Sequence, residues 1–461
     1  MSLTRRELGK LTGLAAATAA LPACTRAREA AQPAPTAPTA PPNLLLILGD
    51  DLAWFDLGSY GSTTIRTPHL DALARSGLRF TDGYAAAAVC SPTRLALYTG
   101  RYPGRLPAGL KEPIDAPDPR IGLPPAHPSL ASLLRPRGYT TAMFGKWHCG
   151  FLPEYGPIKS GWDEFFGNYS GGVDYYSKVS YTGTHDLYER EVEVESLAYY
   201  TDTLAERAVE FLRRRHTRPW LLDLNFTSPH WPWEAPGDTA WSAEVTKRVR
   251  DGKGGALRDG GSLETYVKMV ESLDAAIGRA LDALHATGQD ATTLVWFASD
   301  NGGERYSNEG PLRGRKRDLT EGGIRVPTIV RWPGRIEAGR VSHEPVITQD
   351  WTATFLELAG ASASAEYPLD GRSLVGHVET GAPVAAGDLF WRTREARALR
   401  RERWKYLRTT DDATTVEALY DLEADVGEAS NQATAQPELL GKLRARWEAI
   451  DRGLLPYPEG G

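Results

Sequence analysis

Cysteine is scarce in this 461-residue chain: there are three, at positions 24, 90 and 149, alongside nine histidines. So few cysteines exclude a scaffold built on disulfides, and with Cys24 in a leader only one internal bridge, Cys90–Cys149, is open. Positive charge is not in excess either. The formal net charge of -6 argues against a nucleic-acid partner, which a basic surface would serve. No stretch is long and apolar enough to make a good membrane span, and no internal repeat is present. What remains is an ordinary globular composition, 41% hydrophobic and 24% charged, enough for one large domain and a smaller one.

Residues 1–24 read as an export signal outside the fold. Arg5 and Arg6 precede the weakly apolar "LTGLAAATAALPAC", and small residues close the run. The arginine pair resembles the twin-arginine signals that export folded proteins in bacteria. "LPAC" resembles a lipobox, with Cys24 as the lipid anchor and Pro22 as an unusual residue in it. The expected location is the periplasm, free or lipid-anchored to the membrane facing it. Residues 25–42 are a Pro/Ala/Thr linker, extended and coreless.

From residue 43 the pattern is that of an α/β fold: a large, mostly parallel sheet flanked by helices. "NLLLILGDD" is a buried strand, and "TPHLDALARSG" is a helix with Thr67 as N-cap, Pro68 at its first position and Gly77 as terminator. Strands are expected at 139–148, 220–230 and 292–302, helices at 200–215 and 262–288, a further strand in "RVPTIVRWPG" and a helix in "QDWTATFLELAG". A catalytic domain is expected over 43–360. Over 361–461 a smaller α+β unit is expected, with two antiparallel strands at "ARALRRERWKYLRTT" and "ALYDLEADVGEASN" and a helix at "PELLGKLRARWEAI".

Polar residues cluster where the strands end, which is where open α/β sheets bind ligands. Asp50, Asp51, Asp300 and Asn301 offer only oxygen, which suits a hard divalent cation, Ca²⁺ or Mg²⁺, better than zinc. Helix capping after each strand is the competing reading of these acids. Arg94, Lys146 and Lys316 supply positive charge for an anion with tetrahedral oxygens, and His148 and His230 are placed to move protons. Cys90 heads the short helix of "SPTRLALYTG", where the helix N-terminus is expected to lower its thiol pKa. These residues point to metal-assisted hydrolysis of an oxyanion ester, with phosphate and sulfate both open.

"CSPTR" carries the C-x-P-x-R core of the type I sulfatase signature and "LYTGRYPGR" continues it. "GDDLAWFDLGSYG", "FGKWHCG", "SPHWPW", "SDNGG" and "GRKRDLTEGGIRVP" follow the family's other blocks in order, so the chain resembles a formylglycine-dependent sulfatase from Asn43 to Gly360. The arylsulfatases and N-acetylgalactosamine-6-sulfatases are the members it looks most like, and the resemblance implies an alkaline-phosphatase-like fold. It further implies that Cys90 is oxidised to formylglycine by a dedicated generating enzyme, which makes a disulfide there unexpected. The hydrated aldehyde would attack sulfur and then expel sulfate by reverting to aldehyde. By the same resemblance Asp50, Asp51, Asp300, Asn301 and the formylglycine bind the cation, usually Ca²⁺. Arg94 and Lys146 would stabilise the hydrate, His148 would assist its proton transfers, and His230 and Lys316 would contact the sulfate and leaving oxygen. Two positions depart from the family: Gly49 replaces an alanine and Cys149 a leucine. Beside His230, Trp231 and Trp233, with Tyr175 and Tyr176, could stack on a sugar or aryl ring, and Arg313, Arg315 and Arg317 could favour a polyanion. The expected substrate is a sulfated small molecule or glycan. The alternatives are a phosphodiesterase or phosphonate monoester hydrolase, and a catalytically silent binder of sulfated glycans.

Overall fold

The computed structural model describes residues 41–411 and 414–458. The expected export signal, Cys24 and most of the expected linker lie outside them. Among the described residues no helix is long and apolar enough to cross a membrane.

Among the described residues, sixteen strands form three sheets. They are β1 Asn43–Gly49, β2 Leu78–Phe80, β3 Gly83–Tyr84, β4 Thr140–Gly145, β5 Glu164–Gly167, β6 Tyr188–Glu189, β7 Val192–Glu193, β8 Trp220–Asn225, β9 Thr293–Ser299, β10 Thr328–Arg331, β11 Arg340–Ser342, β12 Val346–Ile347, β13 Leu389–Arg392, β14 Ala396–Arg401, β15 Trp404–Asp411 and β16 Thr414–Asp421. The ten-stranded sheet runs β11-β2-β10-β9-β1-β8-β4-β5-β6-β7. Its centre, β9-β1-β8-β4-β5, is parallel, and β10, β6 and β7 join antiparallel. "RVPTIVRWPG" thus contains the expected strand, running against its neighbour.

Alternation along the central strands builds a core on each side of the sheet. Leu45, Ile47, Phe144, Leu222, Leu224, Val295 and Phe297 face the helices Tyr200–Arg213 and Leu263–Ala286. Leu44, Leu46, Leu48, Met143, Leu221, Leu294 and Trp296 face the helices Cys90–Thr99, Leu130–Leu134 and Thr348–Leu358. Five aliphatics in a row at 44–48 were readable as a buried strand because both faces need filling. Thr67 does not cap its helix through its side chain; its hydroxyl instead accepts from the Gly58 N–H and donates to Asp71.

The C-terminal sheet has four strands, β13-β14-β15-β16, all antiparallel. "ARALRRERWKYLRTT" is therefore a hairpin, not one strand. Its turn lies at Glu402, whose φ is 54°. Phe390, Leu399, Tyr406 and Leu419 pack under the helix Pro437–Asp451 through Leu440, Leu443 and Trp447. The opposite face, with Leu389, Trp391, Ala398 and Leu407, packs on Tyr84, Ala86, Ala88 and Ala96, and Trp391 Nε1 donates to the Ala85 carbonyl at 2.7 Å. The small residues before Cys90 are thus what lets a second sheet lie against the approach to the site.

Polar contacts also tie this sheet to the rest of the chain. Lys405 on β15 is fully buried between Glu321 (2.8 Å) and Glu428 (2.9 Å). Burial works against an ionised Glu321, but Lys405, Arg325 and Arg400 outweigh it and hold that carboxyl down to about 2.

Candidate active site

Register brings the polar strand ends to one level. Gly49 pairs with Ser299 across β1 and β9, and Asn225 pairs with Leu48 on one side and Gly145 on the other. Asp50 and Asp51, Asp300 and Asn301, and Lys146 to His148 therefore leave the sheet side by side. Gly145 has to be glycine: its φ is 115°, and a Cβ there would sit 1.8 Å from the Asn225 carbonyl.

At this edge the six predicted catalytic residues and the four predicted metal ligands other than Cys90 are all buried. The Cys90 thiol donates to Asp50 Oδ1 at 3.5 Å, and Lys146 Nζ donates to Asp50 Oδ2 at 2.5 Å. Lys316 Nζ reaches Asp51 Oδ2 at 2.7 Å, and His230 Nε2 lies 3.7 Å from the same oxygen. Arg94 straddles the floor: Nε and Nη2 contact Asp300 Oδ2 at 3.0 and 2.9 Å, while Nη1 donates to the Lys146 carbonyl and to Asn225 Oδ1. No helix starts directly after Asp50–Asp51 for them to cap; two short 3₁₀ turns come later, at Trp54–Asp56 and Gly58–Tyr60. Asn225 is the member sequence reading missed. Its signal was an amide at the end of the buried strand "WLLDLN", with a partner 131 residues away.

Three carboxylates face three cations, and burial sets the balance. Burial, with Asp300 nearby, pushes Asp50 up to about 7, and burial raises Asp51. Asp300 goes the other way: burial opposes it, but Arg94, Lys146 and Lys316 together hold it below the usual carboxylate range. Burial and the neighbouring lysines keep His148 and His230 neutral well below their ordinary pKa. The ring of His230 is fixed by Nδ1 at 2.6 Å from the Trp231 carbonyl, and that of His148 by Nε2 at 2.9 Å from the Ile114 carbonyl.

Cys90 starts its helix as expected, yet its thiol is not activated. Burial, reinforced by Asp50, pushes it well above the ordinary thiol range and overrides the helix terminus. No disulfide holds it: Cys90 and Cys149 are both free and buried.

The donor set fits a hard cation. Ligand atoms of Asp50, Asp51, Cys90 and His230 lie within 4.8 Å of one another. Asn301 spends its Nδ2 on Asp51 and the Gly302 carbonyl, which leaves its Oδ1 buried without a partner. An orphaned amide oxygen beside three carboxylates is what an oxygen-liganded ion needs.

A cavity of about 350 Å³ opens above Cys90, bounded by His148, His230, Lys316, Trp231, Tyr181 and Arg258. The other aromatic residues named from the sequence have different roles. Trp233 is buried against Tyr306, and Tyr175 is buried with its hydroxyl donating to the Thr227 and His230 carbonyls, so it shapes the His230 loop. Tyr176 bonds the Ala235 carbonyl. Of the three arginines around Lys316, Arg313 turns to the Glu428 carbonyl and Tyr420, and only Arg317 lines the cavity.

A parallel sheet whose carboxyl edge gathers buried carboxylates, lysines and histidines under one cavity defines an α/β protein built to handle a tetrahedral oxyanion. Comparison with known proteins says which. Residues 42–361 match the sulfatase family model, and residues 315–450 match the model of the N-sulphoglucosamine sulphohydrolase C-terminal region. The chain belongs to the sulfatase family. It is 33% identical to mouse steryl-sulfatase over 75% of this chain and to rat N-acetylgalactosamine-6-sulfatase over 72% of it, and the match spans 65% of each relative's length. Among solved structures, Ps i-CgsB superposes with a TM-score of 0.79 at 30% identity, covering 91% of this chain and 94% of that one, and was also solved with k-i-k-neocarrahexaose. The phosphonate monoester hydrolase of Agrobacterium radiobacter has the same fold, with a TM-score of 0.64 at 21% identity over 89% of this chain and 96% of that one. The architecture is alkaline-phosphatase-like.

Proposed function

We propose that this chain hydrolyses sulfate esters carried on a carbohydrate, with a formylglycine made from Cys90 as nucleophile and a divalent cation, Ca²⁺ before Mg²⁺, beside it. The observation that carries this reading is the convergence on Cys90. Asp50, Lys146, Lys316, His148 and His230 gather around one small side chain that burial keeps from acting as a thiolate. The N-acetylgalactosamine-6-sulfatase relative and the oligosaccharide-bound neighbour support sulfated sugars as the substrate class.

Asp50, Asp51, Asp300 and Asn301 would hold the cation, which when bound offsets negative charge on the transferring group. Arg94, locked by four contacts, keeps Asp300 ionised and in place. Lys316, on the cavity wall with Cys90, would meet the sulfate oxygens, and Lys146, held by Asp50, would stabilise the hydrate. His230, with Nδ1–H donated to the Trp231 carbonyl, has Nε2 left to take a second proton once a bound sulfate offsets Lys316 and Lys146, and it would pass that proton to the leaving oxygen.

Two results are expected. Chelation of divalent ions lowers both turnover and Tm, and Ca²⁺ restores both, since an ion that binds only the folded state stabilises it by about 3 kcal/mol at a hundred times its Kd. Thermal melts and assays on the same samples check this; an unchanged Tm would mean no ion belongs to the cluster. His230→Ala slows sulfates of poorly acidic alcohols by on the order of 10²-fold but 4-nitrophenyl sulfate far less, because a good leaving group needs no proton. Equal slowing of both would remove His230 as the proton donor.

Rates on aryl sulfate against aryl phosphonate and phosphodiester separate this reading from its superfamily alternative. For the rest of the chain we propose export by the twin-arginine route after modification by the formylglycine-generating enzyme, with Cys24 as lipid anchor. Fractionation of the native host tests this, and mature protein found only in the cytosol would contradict it.

A further inference from the structure

Above the cluster, Arg258 stands on the cavity wall without a counter-ion among the described residues. Arg258 lies with its guanidinium carbon 4.8 Å from the centre of the Trp231 ring, next in sequence to His230. Among the described residues it makes no ion pair, because the adjacent Asp259 is taken by Arg248. Its position is nonetheless built. The backbone carbonyl of Arg258 accepts from Arg305 Nη1 at 3.3 Å, and Arg305 in turn lies 4.9 Å from the Trp233 ring centre. An arginine on a tryptophan face keeps a fixed plane and its outward N–H groups free for a planar or tetrahedral oxyanion.

Arg317 lines the same cavity. It takes a φ of 82°, and its N–H is anchored to the Ala88 carbonyl at 2.8 Å, two residues before Cys90. Its guanidinium is half-exposed and, among the described residues, pairs with Glu304 alone, at 3.5 Å. With Lys316 on the floor, three cationic side chains line the cavity: Lys316 pairs with Asp51 and Arg317 loosely with Glu304, which leaves Arg258 as the one without an ion pair among the described residues. Arg258 and Arg317 stand exposed at the rim, and their positive field favours a further anion there. Trp231 is meanwhile buried, with its ring next to Arg258, so the group this wall presents to a sugar is a guanidinium rather than a bare aromatic face.

We propose that Arg258 and Arg317 are specificity-determining residues that bind a second oxyanion of the substrate, a carboxylate or a second sulfate on the sugar, so that the enzyme prefers multiply charged saccharides over singly charged aryl or steroid sulfates. The inference rests on the sulfatase reading above.

The test uses the full-length enzyme and three probes: 4-nitrophenyl sulfate, a glucosamine 2-N,6-O-disulfate, and a hexuronate monosulfate. Arg258→Gln and Arg317→Gln are each expected to raise KM for one of the dianionic sugars about tenfold more than for 4-nitrophenyl sulfate, the loss of one charge-assisted hydrogen bond. Whichever of the disulfate and the uronate responds names the second group as sulfate or carboxylate. Arg258→Lys, which keeps the charge but not the stacked plane, is expected to recover only part of the preference. Equal KM changes on all three probes, or none, would overturn the proposal. Calorimetric binding of the same sugars to Cys90→Ala, with and without Arg258→Gln, reads the subsite without turnover. No turnover together with arginine-dependent binding would sink the sulfatase reading and spare this one; turnover with no charge preference would do the reverse.

Discussion

Cys90→Ser lowers kcat/KM on 4-nitrophenyl sulfate by on the order of 10⁴-fold or more, while the protein folds and melts close to the parent. The substitution is nearly isosteric at a position that is fully buried and makes one weak contact, the 3.5 Å thiol–Asp50 hydrogen bond. A hydroxyl there can still attack sulfur, but it has no second oxygen on the same carbon through which to expel sulfate. The variant is therefore expected to trap one sulfate covalently and stop, which intact-protein mass measurement after incubation with substrate would show. Multiple turnovers by Cys90→Ser would mean that the side chain at 90 is an ordinary nucleophile or none.

Arg94→Met comes second in size and strikes stability and activity together. Arg94 is completely buried and serves Asp300, Asn225 and the Lys146 carbonyl at once, with Asp50 at 3.8 Å. Removing it leaves Asp300 buried without its nearest counter-charge, the situation in which broken buried pairs cost about 3–5 kcal/mol. Asp300, now held ionised against burial by Arg94 and the two lysines, would move up in pKa and lose affinity for a cation. Activity is expected to fall by about 10³-fold, and unfolding by urea should shift to a clearly lower midpoint. Arg94→Lys should restore part of the stability but little of the activity, because one ammonium cannot reach all three partners. An inactive variant of normal stability would show that Arg94 acts on the substrate alone.

Much of this site could be read from the sequence because each polar group follows an apolar strand. Asp50 and Asp51 after "LLLILG", Asp300 and Asn301 after "TLVWFAS", and Lys146 after "TTAMFG" mark the carboxyl edge without knowledge of the pairing. What could not be read depends on contacts between distant segments. The helix terminus predicted an acidic thiol at Cys90, but burial under Asp50 decided the opposite, and burial is a property of the assembled cluster. Asn225 gains its role only because parallel pairing sets it between Leu48 and Gly145. Trp233 and Tyr175 looked like sugar platforms and turned out to be interior, since a ring beside a histidine reads the same whether it faces solvent or a loop. The second half of "ARALRRERWKYLRTT" was hidden because its hairpin turns at Arg401–Trp404 with no glycine, proline, asparagine or aspartate to mark it.

The central claim is that Cys90 is a precursor. The tryptic peptide "FTDGYAAAAVCSPTR", residues 80–94, taken from enzyme purified from its native host, tests it most directly. The account predicts a peptide lighter than the sequence mass, with sulfur replaced by aldehyde oxygen and labelled by a hydrazide probe. An unmodified, alkylatable thiol at Cys90 in active native material would contradict it.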